Sequence, residues 1–175
     1  NVQREFFEAK SNLMSSAELF YSFFQKEPTI TTSAHGRVNL IGEHTDYNNG
    51  FVLPSLIPQS LQVSMSFRDD DKIIGTSSEF GKLQSSISSS NDGTWLDFVR
   101  GAIYFCQKIS PSIKGMEVAV SSSIPSGSGL SSSAALEIAL LKAITQLKII
   151  SIQSEEMAKI GQQIEHHFVG TQCGI

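Results

Sequence analysis

The chain has 175 residues, and 40 % hydrophobic against 17 % charged side chains is the balance of a packed globular domain, not of a disordered segment. A formal net charge of −4 with no Lys/Arg cluster excludes a nucleic-acid surface, because phosphate-backbone binding needs concentrated positive charge. No run approaches the roughly 18 to 20 apolar residues of a membrane span and no secretory leader opens the chain, so a cytoplasmic protein away from membranes is expected. Cys106 and Cys173 are far apart and lack the paired spacing of a zinc or dithiol motif, which predicts free thiols. The start at Asn1 and the stop at Gly174-Ile175 read as the boundaries of a fragment.

In chain order, residues 3–26 carry apolar side chains at Phe6, Phe7, Leu13, Leu19, Phe20, Phe23 and Phe24 with no Pro or Gly, predicting one or two helices. β-Prone pieces follow at 29–33, 38–41 and 51–53, interrupted by His35-Gly36 and by the polar run 42–50. Strand-like runs at 61–68, 72–76 and 82–88 are separated by turn formers such as Asp69-Asp70-Asp71. Trp95 to Ile109 returns to helical spacing with Trp95, Phe98, Ala102 and Phe105 on one face. Residues 115–121 read as a strand, with Met116, Val118 and Val120 alternating against Glu117, Ala119 and Ser121. A Gly/Ser loop then leads into an apolar helix with Leu136, Leu140, Ala143 and Leu147 on one face, and a last helix starts near Ser154 as N-cap, lined by Met157, Ile160, Ile164 and Phe168. No composition shift marks a linker, so residues 1–175 are expected to form one domain.

Two segments carry chemistry. The order strand, Gly/Ser loop, helix leaves backbone N–H groups at a helix N-terminus, where they attract anions. Gly127 and Gly129 let phosphates approach the backbone, and Ser131, Ser132 and Ser133 offer hydroxyls to phosphate or to a magnesium ion. The P-loop pattern with its Lys is absent, and a flexible linker is the alternative. The equally Ser-rich stretch 84–92 lacks spaced glycines and a following helix, so it reads as a hairpin or surface loop. In the polar run, Arg37, Glu43, His44, Asp46 and Tyr47 are concentrated between β-prone flanks. They suit the hydroxyls of a carbohydrate, or, for Arg37, a phosphoryl group, while a solvated turn is the plain alternative. A zinc site from His44, Glu165, His166 and His167 is not expected, because His-Glu-x-x-His spacing is absent.

Together these segments resemble the GHMP kinases, and among them the galactokinases. Residues 36–54, Gly-Arg-Val-Asn-Leu-Ile-Gly-Glu-His-Thr-Asp-Tyr-Asn-Asn-Gly-Phe-Val-Leu-Pro, are similar to the galactokinase signature, residues 125–135 to the family's phosphate-binding loop, and Glu165-His166-His167-Phe168 with Cys173-Gly174-Ile175 to the stretch leading into the family's Met-Asp-Gln. The resemblance implies an α+β fold, the GHMP N-terminal domain similar to domain 2 of ribosomal protein S5, with a mixed or antiparallel sheet, helices packed on it, and the C-terminal GHMP domain missing. It implies ATP-dependent phosphorylation of galactose at C1 by a monomer that uses Mg²⁺. Arg37 would stabilise the transferring phosphoryl group, Glu43, His44, Thr45, Asp46 and Gly174 would bind sugar, and Gly127, Ser128, Gly129, Leu130, Ser131, Ser132 and Ser133 would bind ATP. Ser133 and Glu165 would hold the metal, and Trp95 would lie near adenine or serve core packing.

The chain departs from the pattern at His35, where a Pro is usual, for which a local loosening is expected. It stops two positions short of the family's catalytic aspartate, so the fragment alone should be inactive. A related kinase acting on N-acetylgalactosamine is one alternative. A non-catalytic sugar and ATP sensor is another, disfavoured by the intact Ser131-Ser132-Ser133-Ala134-Ala135 segment.

Overall fold

The computed structural model describes residues 13–42 and 50–170. Five strands, β1 (Ile30–Ile41), β2 (Leu53–Phe67), β3 (Lys72–Ser77), β4 (Gly81–Ser86) and β5 (Met116–Ser122), form one sheet in the order β1-β2-β5-β3-β4. Neighbours are antiparallel except β3 and β5, which run parallel, so the expected sheet is mixed. The short pieces read at 29–33 and 38–41 are one strand, and those at 51–53 and 61–68 merge into β2 across Pro54 and Pro58. β5 pairs only with residues 61–67 of β2. Both prolines therefore lie where β1 alone flanks the strand, and Pro58 falls opposite the register irregularity between His35 and Arg37. Proline is tolerated at such edges and bulges because no ladder hydrogen bond is lost. β1 continues through His35, whose Nδ1 lies 3.1 Å from the Ile57 carbonyl oxygen.

The helices cover both faces of the sheet. α1 (Ser16–Phe24) is started by a capping box, in which the Glu18 amide donates to Ser15 Oγ at 3.2 Å and the Ser15 amide donates to Glu18 Oε2 at 2.8 Å. It lies against the middle of the sheet, with Phe20 fully buried and Ser16 Oγ 2.8 Å from Ser64 Oγ. On the opposite face α2 (Leu96–Gln107) and α3 (Ser132–Lys148) bury Val99, Ile103, Leu140 and Ile144 against Val63, Met65, Ile73 and Val118. Met116, Val118 and Val120 face this core as the alternation predicts. Glu117, Ala119 and Ser121 are nevertheless buried too, because α1 covers their side. Glu117 is accommodated there by Arg68 at 2.9 Å and Lys26 at 2.6 Å.

α4 (Ser154–Ile164) begins at Ser154 itself; Gln153 is the capping residue and makes no side-chain cap bond, so the expected serine cap is corrected by one position. Its apolar side packs on the core, with Ile164 fully buried and Met157, Ile160 and Phe168 partly so. α4 does not run on to Phe168 as the spacing predicts. It passes into a π-helical turn (Glu165–Val169), closed by the Gly170 amide donating to the Glu165 carbonyl at 2.8 Å. Among the described residues no helix is long and apolar enough to cross a membrane.

Candidate active site

The Gly/Ser loop leaves β5 and delivers the chain into α3. Gly127 (φ 67°), Gly129 (φ 71°) and Ser131 (φ 58°) all take left-handed backbone conformations. A Cβ built on either glycine meets nothing within 4 Å, so the backbone conformation, not crowding, demands glycine, and the outer side of the loop is open. Ser131 holds the same conformation at a cost of about 1 kcal/mol or more. No side chain caps α3, and the Ala135 amide is the donor that returns to the Ser131 carbonyl, at 3.1 Å. The amides before it are oriented for an anion. Ser128 Oγ donates to the Pro125 carbonyl at 2.6 Å and stiffens the loop.

β1 is fastened to this loop. The Arg37 amide donates to the Leu130 carbonyl at 3.1 Å, and at Gly36 a Cβ would stand 2.8 Å from that same oxygen, so only glycine allows the approach. Arg37 lines a cavity of about 120 Å³ with Ser131, Ser133, Glu137, Gly161 and Glu165. Glu137 and Glu165 are 2 % and 4 % exposed, and Glu137 Oε1 is buried without a hydrogen-bond partner. Burial, and secondarily the neighbouring Glu165 carboxylate, push Glu137 up to about 9. Among the described residues no group of three or more His, Cys, Asp or Glu is arranged to hold a metal ion. The oxygen donors here include the hydroxyls of Ser131 and Ser133 and two carboxyl groups, oxygens of the kind a hard cation such as Mg²⁺ takes, and the orphaned buried oxygen fits such an ion.

A second, largely apolar cavity of about 450 Å³ lies on the other side of Ser133. Phe80, Leu83, Trp95, Phe98 and Leu136 form its walls, and Ser132 and Ser133 close the end next to the loop. The Trp95 ring rests on Gly75, where a Cβ would come within 2.5 Å of Cη2, so the side chain both packs and lines. Below it, the ion pair of Asp97 and Arg100 is almost fully buried. Asp97 accepts from the Gly93 amide at 2.8 Å, and Arg100 donates to Ser85 Oγ at 2.6 Å and to the Ser86 carbonyl at 3.2 Å, which ties the 92–94 turn to β4. An apolar chamber sized for a planar ring thus joins, at Ser133, a polar chamber beside a phosphate-type loop.

Arg37, Ser131, Ser133 and Glu165 come together in the small cavity, and Trp95, Ser132 and Ser133 in the large one. Gly127, Ser128 and Gly129 are exposed on the loop. The Leu130 side chain packs against the core while its carbonyl takes the Arg37 amide. His166 and His167 are exposed and converge on nothing. Glu43, His44, Thr45, Asp46 and Gly174 lie outside the described residues. Sequence reading passed over Glu137, although a lone carboxylate one turn after Ser133 in the apolar stretch 134–141 was a usable signal. The π-helical turn that sets Glu165 has no such signal.

Residues 18–67 match the family described as the galactokinase galactose-binding signature, and residues 97–175 match the GHMP kinases N terminal domain. The galactokinase of Pasteurella multocida (strain Pm70) is 40 % identical over 166 residues, which cover 91 % of this chain and 43 % of that protein. The crystal structure of Lactococcus lactis galactokinase complexed with galactose superposes with a TM-score of 0.76 at 30 % identity, covering 90 % of this chain and 43 % of the other. Methanococcus jannaschii mevalonate kinase, at 22 % identity and a TM-score of 0.68 over 82 % of this chain and 48 % of its own, shares the fold. The chain thus spans less than half the length of the relatives it matches. On these matches the chain belongs to the GHMP kinase family, among the galactokinases.

Proposed function

We propose that the complete protein transfers the γ-phosphoryl group of ATP to the C1 hydroxyl of galactose, giving galactose 1-phosphate and ADP. The observation that carries this reading is the junction of β1 with the Gly/Ser loop. The Arg37 amide sits on the Leu130 carbonyl at 3.1 Å, so the 36–54 motif, inside the residues 18–67 that match a galactose-binding signature, begins against the loop suited to phosphate. The names of the relatives support the sugar, and the paired chambers support a nucleotide.

In this reading the adenine occupies the apolar chamber beside Trp95, and the phosphates run along Gly127, Ser128, Gly129, Ser131 and Ser132 toward Ser133. Arg37 faces the transferring group and offsets the charge that spreads over its oxygens. Ser133 and Glu165 would hold Mg²⁺, which would supply positive charge to offset the negative charge of the phosphates. Glu43, His44, Thr45 and Asp46 orient the sugar by accepting and donating hydrogen bonds to its hydroxyls, with Gly174 beside it. The sugar O1 bonds to Pγ as the bond from Pγ to the ADP oxygen breaks. The hydroxyl proton goes to the aspartate that the resemblance puts two positions after Ile175. Residues 1–175 alone are therefore expected to show no turnover.

The test is ADP release by the complete protein with Mg²⁺ and galactose, N-acetylgalactosamine or no sugar. Galactose-dependent release that falls about 10³-fold in Arg37→Ala supports the assignment. Preference for N-acetylgalactosamine would move the protein to a related sugar kinase, and binding of galactose and ATP without release would make it a sensor.

A further inference from the structure

The activity proposed above leaves one buried acid without a task. Glu137 lies in the middle of α3 and is 2 % exposed, a setting in which an acidic side chain is costly unless something compensates it. The other buried acids with no task in the proposed chemistry have cationic partners: Glu117 has Arg68 and Lys26, and Asp97 has Arg100. Among the described residues Glu137 has no ion pair, and its Oε1 has no hydrogen-bond partner at all. A buried acid kept in this condition has no packing rationale, since an apolar residue of similar volume would serve α3 better.

Three features show where its carboxyl is directed. Glu137 follows Ser133 by four residues, so both stand on one face of α3, and both line the small cavity. Glu165 lines it too, from the π-helical turn, itself 4 % exposed. On α4 a Cβ at Gly161 would lie 3.1 Å from Glu137 Oε2. The neighbouring helix thus carries a glycine at the point where the carboxyl needs room. Two buried acids and the Ser133 hydroxyl stand around about 120 Å³ that Arg37 also lines, and these oxygens are donors of the kind that hold one divalent ion.

We propose that Glu137 contributes its carboxylate to the Mg²⁺ site formed with Ser133 and Glu165, making that site a two-carboxylate site. The inference rests on the metal assignment made under the proposed function. Mg²⁺ is held in such sites by one or two carboxylates together with substrate phosphates. Glu137 is the second, and it anchors the ion to the body of α3, whereas Glu165 holds it from the π-helical turn.

The experiment uses the complete protein with saturating ADP and Mn²⁺ as the probe ion, its free concentration read from the electron paramagnetic resonance signal of unbound Mn²⁺. Glu137→Gln and Glu165→Gln are each expected to weaken Mn²⁺ binding by about 10-fold or more. ADP binding measured in EDTA should stay within about twofold of the parent for both, because neither carboxylate is asked to touch the nucleotide directly. If Glu165→Gln loses Mn²⁺ affinity while Glu137→Gln keeps it, the role of Glu137 is overturned and the metal assignment stands. If neither loses it, the metal assignment itself fails. Should Glu137→Gln not fold, Glu137→Asp carries the same test, since it keeps a carboxylate but withdraws it by one methylene. A loss of about threefold or more in Mn²⁺ affinity is then expected, and an unchanged affinity overturns the proposal.

Discussion

A single methyl group at position 36 should separate the two halves of the site. Gly36 has no positive φ, so Gly36→Ala imposes no backbone strain, and its effect comes from contact alone. The new Cβ would lie 2.9 Å from Ile57 Cδ1 and 2.8 Å from the Leu130 carbonyl oxygen. Ile57 is half-buried and its side-chain end can rotate away. The carbonyl cannot, because it is backbone and already accepts the Arg37 amide at 3.1 Å. A carbon and a carbonyl oxygen in contact need about 3.3 Å or more, so the loop must retreat by roughly half an ångström and stretch that hydrogen bond. Overpacking costs about 1–3 kcal/mol and the weakened bond about 1 kcal/mol, so a loss of about 2–4 kcal/mol in urea unfolding is expected. Displacing a phosphate-holding loop on this scale should also lower kcat by roughly 10- to 100-fold. Both are measured on the complete protein. Stability within about 0.5 kcal/mol of the parent together with an unchanged kcat would refute the argument that this junction holds the site together.

Trp95→Ala should raise KM for ATP by roughly 5- to 150-fold, the equivalent of about 1–3 kcal/mol of base stacking, with kcat much less affected; initial rates at varied ATP decide it. Arg100→Met leaves Asp97, 1 % exposed, buried without its counterion and should cost about 3–5 kcal/mol in urea unfolding, most of it recovered in Asp97→Asn/Arg100→Met. Arg68 holds the Asp70 carboxyl down to about 2 from an ordinary 3.8, chiefly through paired hydrogen bonds of 2.7 Å. Its folded value is depressed, so the stability it contributes is present above pH 3.8 and lost as the pH falls toward 2. Asp70→Asn should therefore lower stability near neutrality, leave it little changed near pH 2, and so flatten the acid limb of the stability profile in that window, as followed by thermal unfolding from pH 2 to 7. Cys106 is fully buried and its thiol is pushed up to about 11 by desolvation, so in a Cys173→Ser background the native protein should react with a thiol reagent only on unfolding.

Short-range chemistry was legible wherever a few residues determine their own conformation. The strand at 115–121, the loop with Gly127 and Gly129, and the following helix could be read because alternation, positive-φ glycines and helical spacing are local properties. The junction of β1 with the Gly/Ser loop was not, because it depends on residues more than ninety positions apart. The continuation of β2 through Pro54 and Pro58 was not legible either, since their tolerance depends on β5 ending its pairing at Leu61. The burial of Glu117, Ala119 and Ser121 could not be read from β5 either, because it is α1 that covers them.

The sequence by itself therefore determined the phosphate-type loop, the family and the chemical types of the candidate groups, because these reside in contiguous residues whose backbone preferences and donor atoms are intrinsic. Only the tertiary structure decided that Arg37, Ser133, Glu137 and Glu165 share one cavity and that Trp95 stands on the other side of Ser133. Those relations come from packing α3 and the π-helical turn against the sheet. The clearances that allow it, at Gly36 and Gly161, are distances between elements that no local pattern records.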